Sequence, residues 1–433
     1  MIWNEKIECM SPADLKQLQS ERLKKLIPYI YSNCEFYKNR LDQTGVKPDD
    51  IKSIDDIKRL PFTTKIDMRD TYPYGMFSAD QKDVLEIHVS SGTTGNPTLV
   101  GYTRDDIKLW SEVVARCLGC AGAEPGDTIQ VAYGYGLFTG GLGLHYGALE
   151  MGLRILPTSS GQTKRQLKLM QDFSPRIIAC TPSYALYMAE EAKEMGIDPT
   201  ASSWDIGIFG AEPWSESIRQ EIEKNWNMLA TDIYGLSEII GPGVSQECHL
   251  KDGLHIFSDV FYPEIIDPET GEQVPEGENG ELVITTLTKQ AIPLIRYRTR
   301  DIVSITHEKC ACGRTSPRTS KIKGRTDDMI VVRGINVFPS QIEHVLLGIE
   351  GTHPHYQIVV DRAEKKLDQV EVLVEVDEKL FSDEVKKLGE LQAKIKSQIE
   401  SVLSVGVTVK LVEPKTIERS MGKAKRVVDK RSI

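Results

Sequence analysis

Residues 12–45 carry Leu15, Leu18, Leu23, Leu26 and Ile30 near helical spacing, and the chain predicts a helix there. From about Val84 the pattern changes. Short apolar runs at Thr128–Ala132, Arg154–Leu156, Ile177–Cys180, Ile206–Phe209 and Leu229–Ile233 predict strands, and helical runs separate most of them. Such alternation implies a mainly parallel sheet with helices on its faces. Over residues 254–305, Pro and Gly turns separate strands such as Glu281–Thr286, which predicts a smaller β subdomain.

After Gly324 a new unit begins. Met329–Arg333 predicts a strand, Ser340–Leu347 a helix, Gln357–Val360 and Gln369–Val376 two strands, Asp383–Leu403 a long helix, and Val407–Leu411 a final strand after a turn at Gly406. The order β-α-β-β-α-β is that of a split βαβ domain. The boundary falls near Lys323–Asp328, where Gly324 and two aspartates interrupt the apolar pattern. The expected fold class is therefore α/β. Residues 1–325 form a large N-terminal domain with mainly parallel sheets plus a β subdomain, and residues 326–433 a small α+β C-terminal domain.

Composition narrows the functions open to such a fold. A chain that is 40% hydrophobic and 27% charged can build a core and is unlike a disordered one. A net charge of −10 repels nucleic acid and anionic lipid, so neither is an expected partner. Basic residues cluster only in the tail, Lys415 to Arg431. The N-terminal residues carry charges where a signal peptide needs an apolar run. The stretch Tyr133–Leu153 is Gly-rich and holds His145 and Glu150, so no membrane span is expected there. The expected location is the cytoplasm, where the eight cysteines would stay reduced. Cys9, Cys34, Cys117, Cys120 and Cys180 are read as small buried or idle thiols.

The strongest local signal is Val89-Ser90-Ser91-Gly92-Thr93-Thr94-Gly95-Asn96-Pro97. Glycines and hydroxyls packed this densely can turn backbone N–H groups and side-chain donors onto one anion. The Gly-Lys-Ser/Thr ending of a Walker loop is missing. The stretch resembles the phosphate loop of the adenylate-forming superfamily of acyl-CoA synthetases, luciferases and peptide-synthetase adenylation domains. Tyr234-Gly235-Leu236-Ser237-Glu238, Tyr297-Arg298-Thr299-Arg300-Asp301, Gly324-Arg325-Thr326-Asp327 and Gly422-Lys423 resemble further motifs of that superfamily, in its order. The strings Tyr133-Gly134-Tyr135-Gly136-Leu137-Phe138-Thr139-Gly140-Gly141, Gly210-Ala211-Glu212-Pro213-Trp214 and Arg333-Gly334-Ile335-Asn336-Val337-Phe338-Pro339 are most similar to the phenylacetate–CoA ligase branch. Two positions depart from the wider superfamily. Thr98 stands where many relatives carry Lys, and Arg300 where Gly is usual.

The resemblance implies an ATP-dependent ligase that converts an aryl, phenylacetate-like carboxylic acid to its coenzyme A thioester through an acyl-adenylate, releasing AMP and pyrophosphate. Ser90, Ser91, Gly92, Thr93, Thr94 and Gly95 would hold phosphate. Glu238 would help hold Mg²⁺, which favours carboxylate and phosphate oxygens. Ala211, Glu212, Pro213 and Tyr234 would line the adenine pocket, within motifs that include Gly235 and Ser237. Asp301 would take the ribose hydroxyls, and Arg325 would reach ribose or phosphate. Lys423 would bridge the substrate carboxylate and the α-phosphate. Asp327 would be the hinge about which a mobile C-terminal domain turns between the two half-reactions, withdrawing Lys423 and bringing up the loop around Gly334 for CoA. The sequence leaves the oligomeric state open; the resemblance suggests a homodimer.

Tyr135 and Phe138 interleave with Gly140 and its neighbouring glycines, a pattern that makes a slot for a flat ring or, equally, ordinary packing at a glycine-rich helix start. The string Gly134-x-Gly136-x-x-x-Gly140 also looks like a dinucleotide turn. A nicotinamide oxidoreductase is nevertheless rejected, because the next strand ends in Pro157-Thr158-Ser159, with no acid for a ribose. Adenylation could also serve to load a carrier protein, and the same motifs could belong to a non-catalytic nucleotide sensor. Glu238, Asp301 and Lys423 argue against the sensor.

Cys310-Ala311-Cys312-Gly313 is a tight turn that can aim two thiolates at one point. With Cys248 and His255 it would make a closed, structural Zn²⁺ site. His249 is the rival ligand, but it would share a strained geometry beside Cys248. Free thiols in loops would account for the same residues without a metal.

Overall fold

The computed structural model describes residues 1–89, 96–326, 330–332, 335–337, 339–361, 368–376, 385–403, 405–419 and 426–431. Backbone proximity divides the chain into two compact units. The first comprises Met1–Cys180, Ser202–Ala211 and Met228–Lys321; the second comprises Thr181–Ala201, Glu212–Asn227 and Ile322–Ile433.

The first unit is built on a nine-stranded sheet. Leu229–Leu236, Ile206–Gly210, Ile177–Cys180, Thr128–Val131 and Arg154–Leu156 lie side by side and parallel. The three middle strands are buried at every position, which is why they read as unbroken apolar runs instead of alternating ones. On its other edge Leu229–Leu236 pairs antiparallel with Gly241–Glu247, and that strand pairs antiparallel with Leu254–Ile256. A separate antiparallel ladder joins Phe261–Ile266, Gly280–Thr286 and Tyr297–Val303, matching the expected β subdomain.

The expected N-terminal helix is two helices, Pro12–Asn33 and Glu35–Thr44. Cys34 between them has extended backbone (φ −130°, ψ 110°), and its thiol lies 3.6 Å from the Gly75 carbonyl oxygen. Neither Gly nor Pro marks this break, so the hydrophobic period runs through it unchanged.

Helices Arg104–Ala121 and Thr139–Met151 pack against each other in this unit. Thr103 caps the first, with Asp106 completing a reciprocal capping box, and Gly122 closes it in the left-handed conformation at φ 104°. The second presents glycines to it. A β-carbon at Gly143 would lie 2.5 Å from the Trp110 ring, and one at Gly147 would lie 2.4 Å from a Val114 methyl.

In the second unit a four-stranded sheet has the order Thr408–Val412, Gln369–Val376, Thr352–Asp361, Val427–Asp429. Helices Pro339–Leu347 and Val385–Leu403 contribute Ile342, Leu346, Ile395 and Ile399 to its core, against Ile358, Val360, Val372 and Val374. The first expected strand does not enter this sheet. Ile330–Val332 instead pairs antiparallel with Ile335–Val337. The place beside Thr352–Asp361 is taken by Val427–Asp429, a segment of the basic tail too short to announce itself by periodicity. Helices Pro182–Glu194 and Glu216–Trp226 also belong here, tied by a 2.9 Å hydrogen bond from the Trp226 indole to the Ala185 carbonyl. Among the described residues, no helix is long and apolar enough to cross a membrane.

Gly147→Ala tests the helix contact. Alanine is favoured over glycine within a helix by about 1 kcal/mol. A methyl forced into a filled core costs about 1–3 kcal/mol. The methyl at Gly147 would also meet the Val114 backbone carbon at 2.9 Å, which cannot rotate away. Overpacking therefore wins, and the thermal midpoint should fall. A midpoint that rises would show that the two helices separate freely.

Candidate functional site

Ser90–Gly95, Asp327 and Lys423 lie outside the described residues, as does Gly334. The strands around the Ser/Thr/Gly stretch are described. Val84–Val89 and Leu99–Thr103 pair antiparallel, with Val89 opposite Leu99, so the stretch connects the two arms of a hairpin. Just after it, the Asn96 amide donates to the Arg69 carbonyl at 3.4 Å, in the short helix Lys65–Asp70.

The Tyr234–Glu238 motif leaves the sheet at the end of Leu229–Leu236 and turns back into Gly241–Glu247. The turn is tight enough to dictate a glycine: a β-carbon on Gly235 would lie 1.9 Å from the Gly241 carbonyl oxygen. The Tyr234 hydroxyl donates to the Asp301 carboxylate at 2.7 Å, so two residues assigned to the nucleoside meet directly. Asp301 is 2% exposed and its N–H donates to the Thr299 hydroxyl. Ser237 meets Thr139 hydroxyl to hydroxyl at 3.2 Å. Glu238 is nearly buried, with one carboxylate oxygen 3.0 Å from the Lys65 ammonium. Beneath it the fully buried Lys289 donates to the carbonyls of Glu238 and Ile239. Burial pushes the Lys289 ammonium down to about 8.

Arg300, the departure from the usual glycine, has φ 70°. A glycine reaches that left-handed conformation without strain, whereas arginine does so at a cost of about 1 kcal/mol. The Arg300 N–H donates to Glu281 at 3.2 Å and its guanidinium lies 3.6 Å from the same carboxylate, which offsets that cost. Ala211 is likewise left-handed, at φ 68°. In the second unit Glu212 accepts the Ser183 N–H at 2.7 Å, an anion at the start of helix Pro182–Glu194, while Pro213 is exposed. Arg325 lies in the same unit, in the short strand Gly324–Arg325.

In the glycine-rich stretch, the Tyr133 hydroxyl donates to the Cys180 carbonyl at 2.6 Å and is structural. Tyr135 meets His145 at 3.3 Å, with the two rings edge to face. Burial raises the Tyr135 hydroxyl above its ordinary range and lowers His145 below its own. Phe138 is 47% exposed, and its ring lies over Gly140, where a β-carbon would approach it to 2.3 Å. Nearby is a polar group that no motif in the sequence singles out. Glu86 takes His88 at 2.5 Å on one oxygen and the Tyr146 hydroxyl at 2.7 Å on the other, and His88 reaches the Leu137 carbonyl. The available signal is the i, i+2 spacing of Glu86 and His88, which puts both on one face of a strand.

The four residues Cys248, His255, Cys310 and Cys312 converge, with their ligand atoms all within 4.8 Å of one another. Cys248 and Cys310 sulfurs are 3.9 Å apart, and Cys312 Sγ is 3.4 Å from His255 Nε2. Tetrahedral Zn–S bonds of about 2.3 Å would put sulfurs about 3.8 Å apart. His255 is fully buried and Nδ1 faces the Ser316 hydroxyl at 3.2 Å, which leaves Nε2 for a metal. His249 is exposed and outside the cluster. The Cys312 thiol is held well below its ordinary range by its hydrogen bonds from Cys248 and His255. Two thiols read as idle surround this group. Cys120 packs against Cys248 and Cys310, and the Cys9 thiol lies 3.5 Å from the Gly313 carbonyl. Arg314 joins it to the N-terminus, donating to buried Glu8 at 2.6 Å and to the Met1 carbonyl at 2.7 Å.

The AMP-binding enzyme family matches residues 14–288, and the AMP-binding enzyme C-terminal domain matches residues 334–431. With the Tyr234–Asp301 pair linking strands of the two sheets and the nearly buried Glu238 in the turn after Leu229–Leu236, the chain is an adenylate-forming enzyme. The phenylacetate–coenzyme A ligase of Thermus thermophilus is 49% identical, over 100% of this chain and 100% of that one. Its counterpart in Escherichia coli is 46% identical, over 100% and 99%. A crystal structure of 2-hydroxyisobutyryl-CoA ligase in the postadenylation state with 2-HIB-AMP has a TM-score of 0.92 at 28% identity, covering 98% of this chain and 92% of that one. The chain belongs to the phenylacetate–coenzyme A ligases: it is an AMP-forming acid–thiol ligase that activates a carboxylic acid with ATP and passes the acyl group to coenzyme A.

Proposed function

We propose that the acid is a phenylacetate-like arylacetate, and that residues 1–325 carry the nucleotide and acyl sites while residues 326–433 carry the adenylation lysine. The observation that carries the aryl reading is the wall of Tyr135, His145 and Phe138, with the Phe138 ring seated over Gly140 and open space beside Gly136. The name borne by relatives 46% and 49% identical over the full length agrees with it.

In the first half-reaction the substrate carboxylate attacks the α-phosphate of ATP. Ser90–Gly95 wrap the phosphates with N–H groups and hydroxyls. Asp301, oriented by the Tyr234 hydroxyl, accepts the ribose hydroxyls, and the turn Ala211-Glu212-Pro213 lines the adenine with Tyr234. Arg325 reaches ribose or phosphate. Lys423 draws the two anions together, lowering the repulsion between attacking carboxylate and phosphate. Glu238 has a carboxylate of the hard-oxygen kind that suits Mg²⁺, and its only close ionic contact among the described residues is a displaceable ammonium. When bound there, Mg²⁺ would neutralise phosphate charge. In the second half-reaction, a turn about Asp327 withdraws Lys423 and admits the CoA thiol to the acyl carbon.

We further propose that Cys248, His255, Cys310 and Cys312 hold a structural Zn²⁺. Three thiols and one imidazole at these separations fit a closed tetrahedral site with no open position, so the metal takes no part in the reaction. The enzyme is proposed to work in the cytoplasm, where unpaired thiols persist.

Three measurements check these roles. Lys423→Ala should nearly abolish adenylate formation while still converting ready-made acyl-adenylate and CoA to thioester; equal loss of both sinks the assignment. Arylacetates should give higher kcat/KM in CoA-dependent AMP release than acetate or long fatty acids, and a long-chain preference would refute the slot. Metal analysis should find about one zinc per chain, falling in Cys310→Ser, with a lower thermal midpoint after chelation. A zinc-free preparation of full stability overturns the metal site.

A further inference from the structure

Adenylation concentrates charge. The carboxylate oxygen bonds to the α-phosphorus, the bond from that phosphorus to the bridging oxygen breaks, and the electron pair leaves on pyrophosphate. The leaving group gains a negative charge as it departs, and positively charged groups set against it accelerate the step. The stretch assigned to the phosphates brings no such group: Val89–Thr98 contains neither lysine nor arginine. Thr98 at its end is 1% exposed, so that position is closed in by the fold.

Two lysines touch Glu238. Lys289 is fully buried and directs its ammonium to the Glu238 and Ile239 carbonyls, on the inner side of the turn. Lys65 is different. Its ammonium is 3.0 Å from the Glu238 carboxylate, and its side chain is 40% exposed while that of Glu238 is 7% exposed. Lys65 opens the helix Lys65–Asp70, directly after the N-cap Thr64. A cation is disfavoured at that end of a helix, so local helix energetics do not account for it. The helix itself is fixed: Thr64 and Asp67 cap it reciprocally, and Arg40 pairs with Asp67 at 2.8 Å. The same helix receives the Asn96 amide on the Arg69 carbonyl at 3.4 Å.

We infer that Lys65 is the pyrophosphate-directed cation of this enzyme: it neutralises Glu238 in the free protein, and transfers to the β- and γ-phosphates when Glu238 takes up Mg²⁺. The first role stops a nearly buried carboxylate from standing uncompensated before ATP arrives. The second supplies the positive charge that Val89–Thr98 lacks. No proton moves; the ammonium exchanges one anionic partner for another. The inference rests on the assignment of Glu238 to Mg²⁺.

The test uses the full-length enzyme, phenylacetate and Mg·ATP. Lys65→Ala should lower ATP–pyrophosphate exchange about 100-fold, the scale of losing one positioned electrostatic donor. It should also raise the KM for pyrophosphate in the exchange, and Lys65→Arg should recover much of both. Thioester formation from synthetic phenylacetyl-adenylate and CoA, which involves no pyrophosphate, should change by less than about threefold. Exchange at the parental rate in Lys65→Ala overturns the inference. So does equal loss of both half-reactions, which marks a merely structural lysine. Glu238→Gln separates the two claims. If that variant keeps Mg²⁺-dependent exchange, the metal assignment fails and the inference with it. If Glu238→Gln loses exchange and Lys65→Ala keeps it, the lysine alone is wrong.

Discussion

The approach of Gly235 to the Gly241 carbonyl is the constraint on which the site depends. The turn between Leu229–Leu236 and Gly241–Glu247 joins the parallel half of the large sheet to its antiparallel half, and no side chain fits at that crossing. Closing the turn there projects Tyr234 towards Asp301 and sets Glu238 at the surface of the core. The backbone of the turn is held from below, because the buried Lys289 ammonium satisfies the carbonyls of Glu238 and Ile239. A buried ammonium is costly, and burial lowers the Lys289 ammonium to about 8. Two carbonyl acceptors and the face of Tyr102 offset it.

The same strand, continued past Glu247, delivers Cys248 to the thiol–imidazole cluster. Behind the cluster lies a chain of buried ionic contacts. Arg314 binds Glu8, and Glu8 in turn accepts the backbone N–H groups of Trp3 and Asn4. Arg116 binds Asp259 at 2.8 Å within the same core, and Arg22 meets that aspartate from the first long helix. Removing one partner from such pairs leaves a buried charge uncompensated, which costs more than the pair contributes. The first ten residues are thereby fastened to the segment after Asp301. The Cys–His cluster lies at the antiparallel edge of the sheet, at the opposite end of Gly241–Glu247 from the nearly buried Glu238.

Much of this was legible in the chain. Apolar runs such as Ile177–Cys180 and Ile206–Phe209 have no polar position to offer water, so a doubly covered parallel sheet is where they fit. The order of the motifs implied the enzyme class, and the Cys-x-Cys turn with Cys248 and His255 implied a converging cluster, because thiols and imidazole are the residue types a closed metal site requires. Other features have no one-dimensional signal. At the break between the first helices the Cys34 thiol lies against the Gly75 carbonyl, forty-one positions away, and Val427–Asp429 pairs with the distant Thr352–Asp361. Lys65 reads in sequence as one more surface lysine, and Glu86, His88 and Tyr146 as unrelated polar residues. Local periodicity marked most of the elements, and the resemblance of the ordered motifs implied the reaction. Which charges face one another across distant elements was decided only by tertiary packing, because burial alone fixes the partner of a charge that water no longer screens.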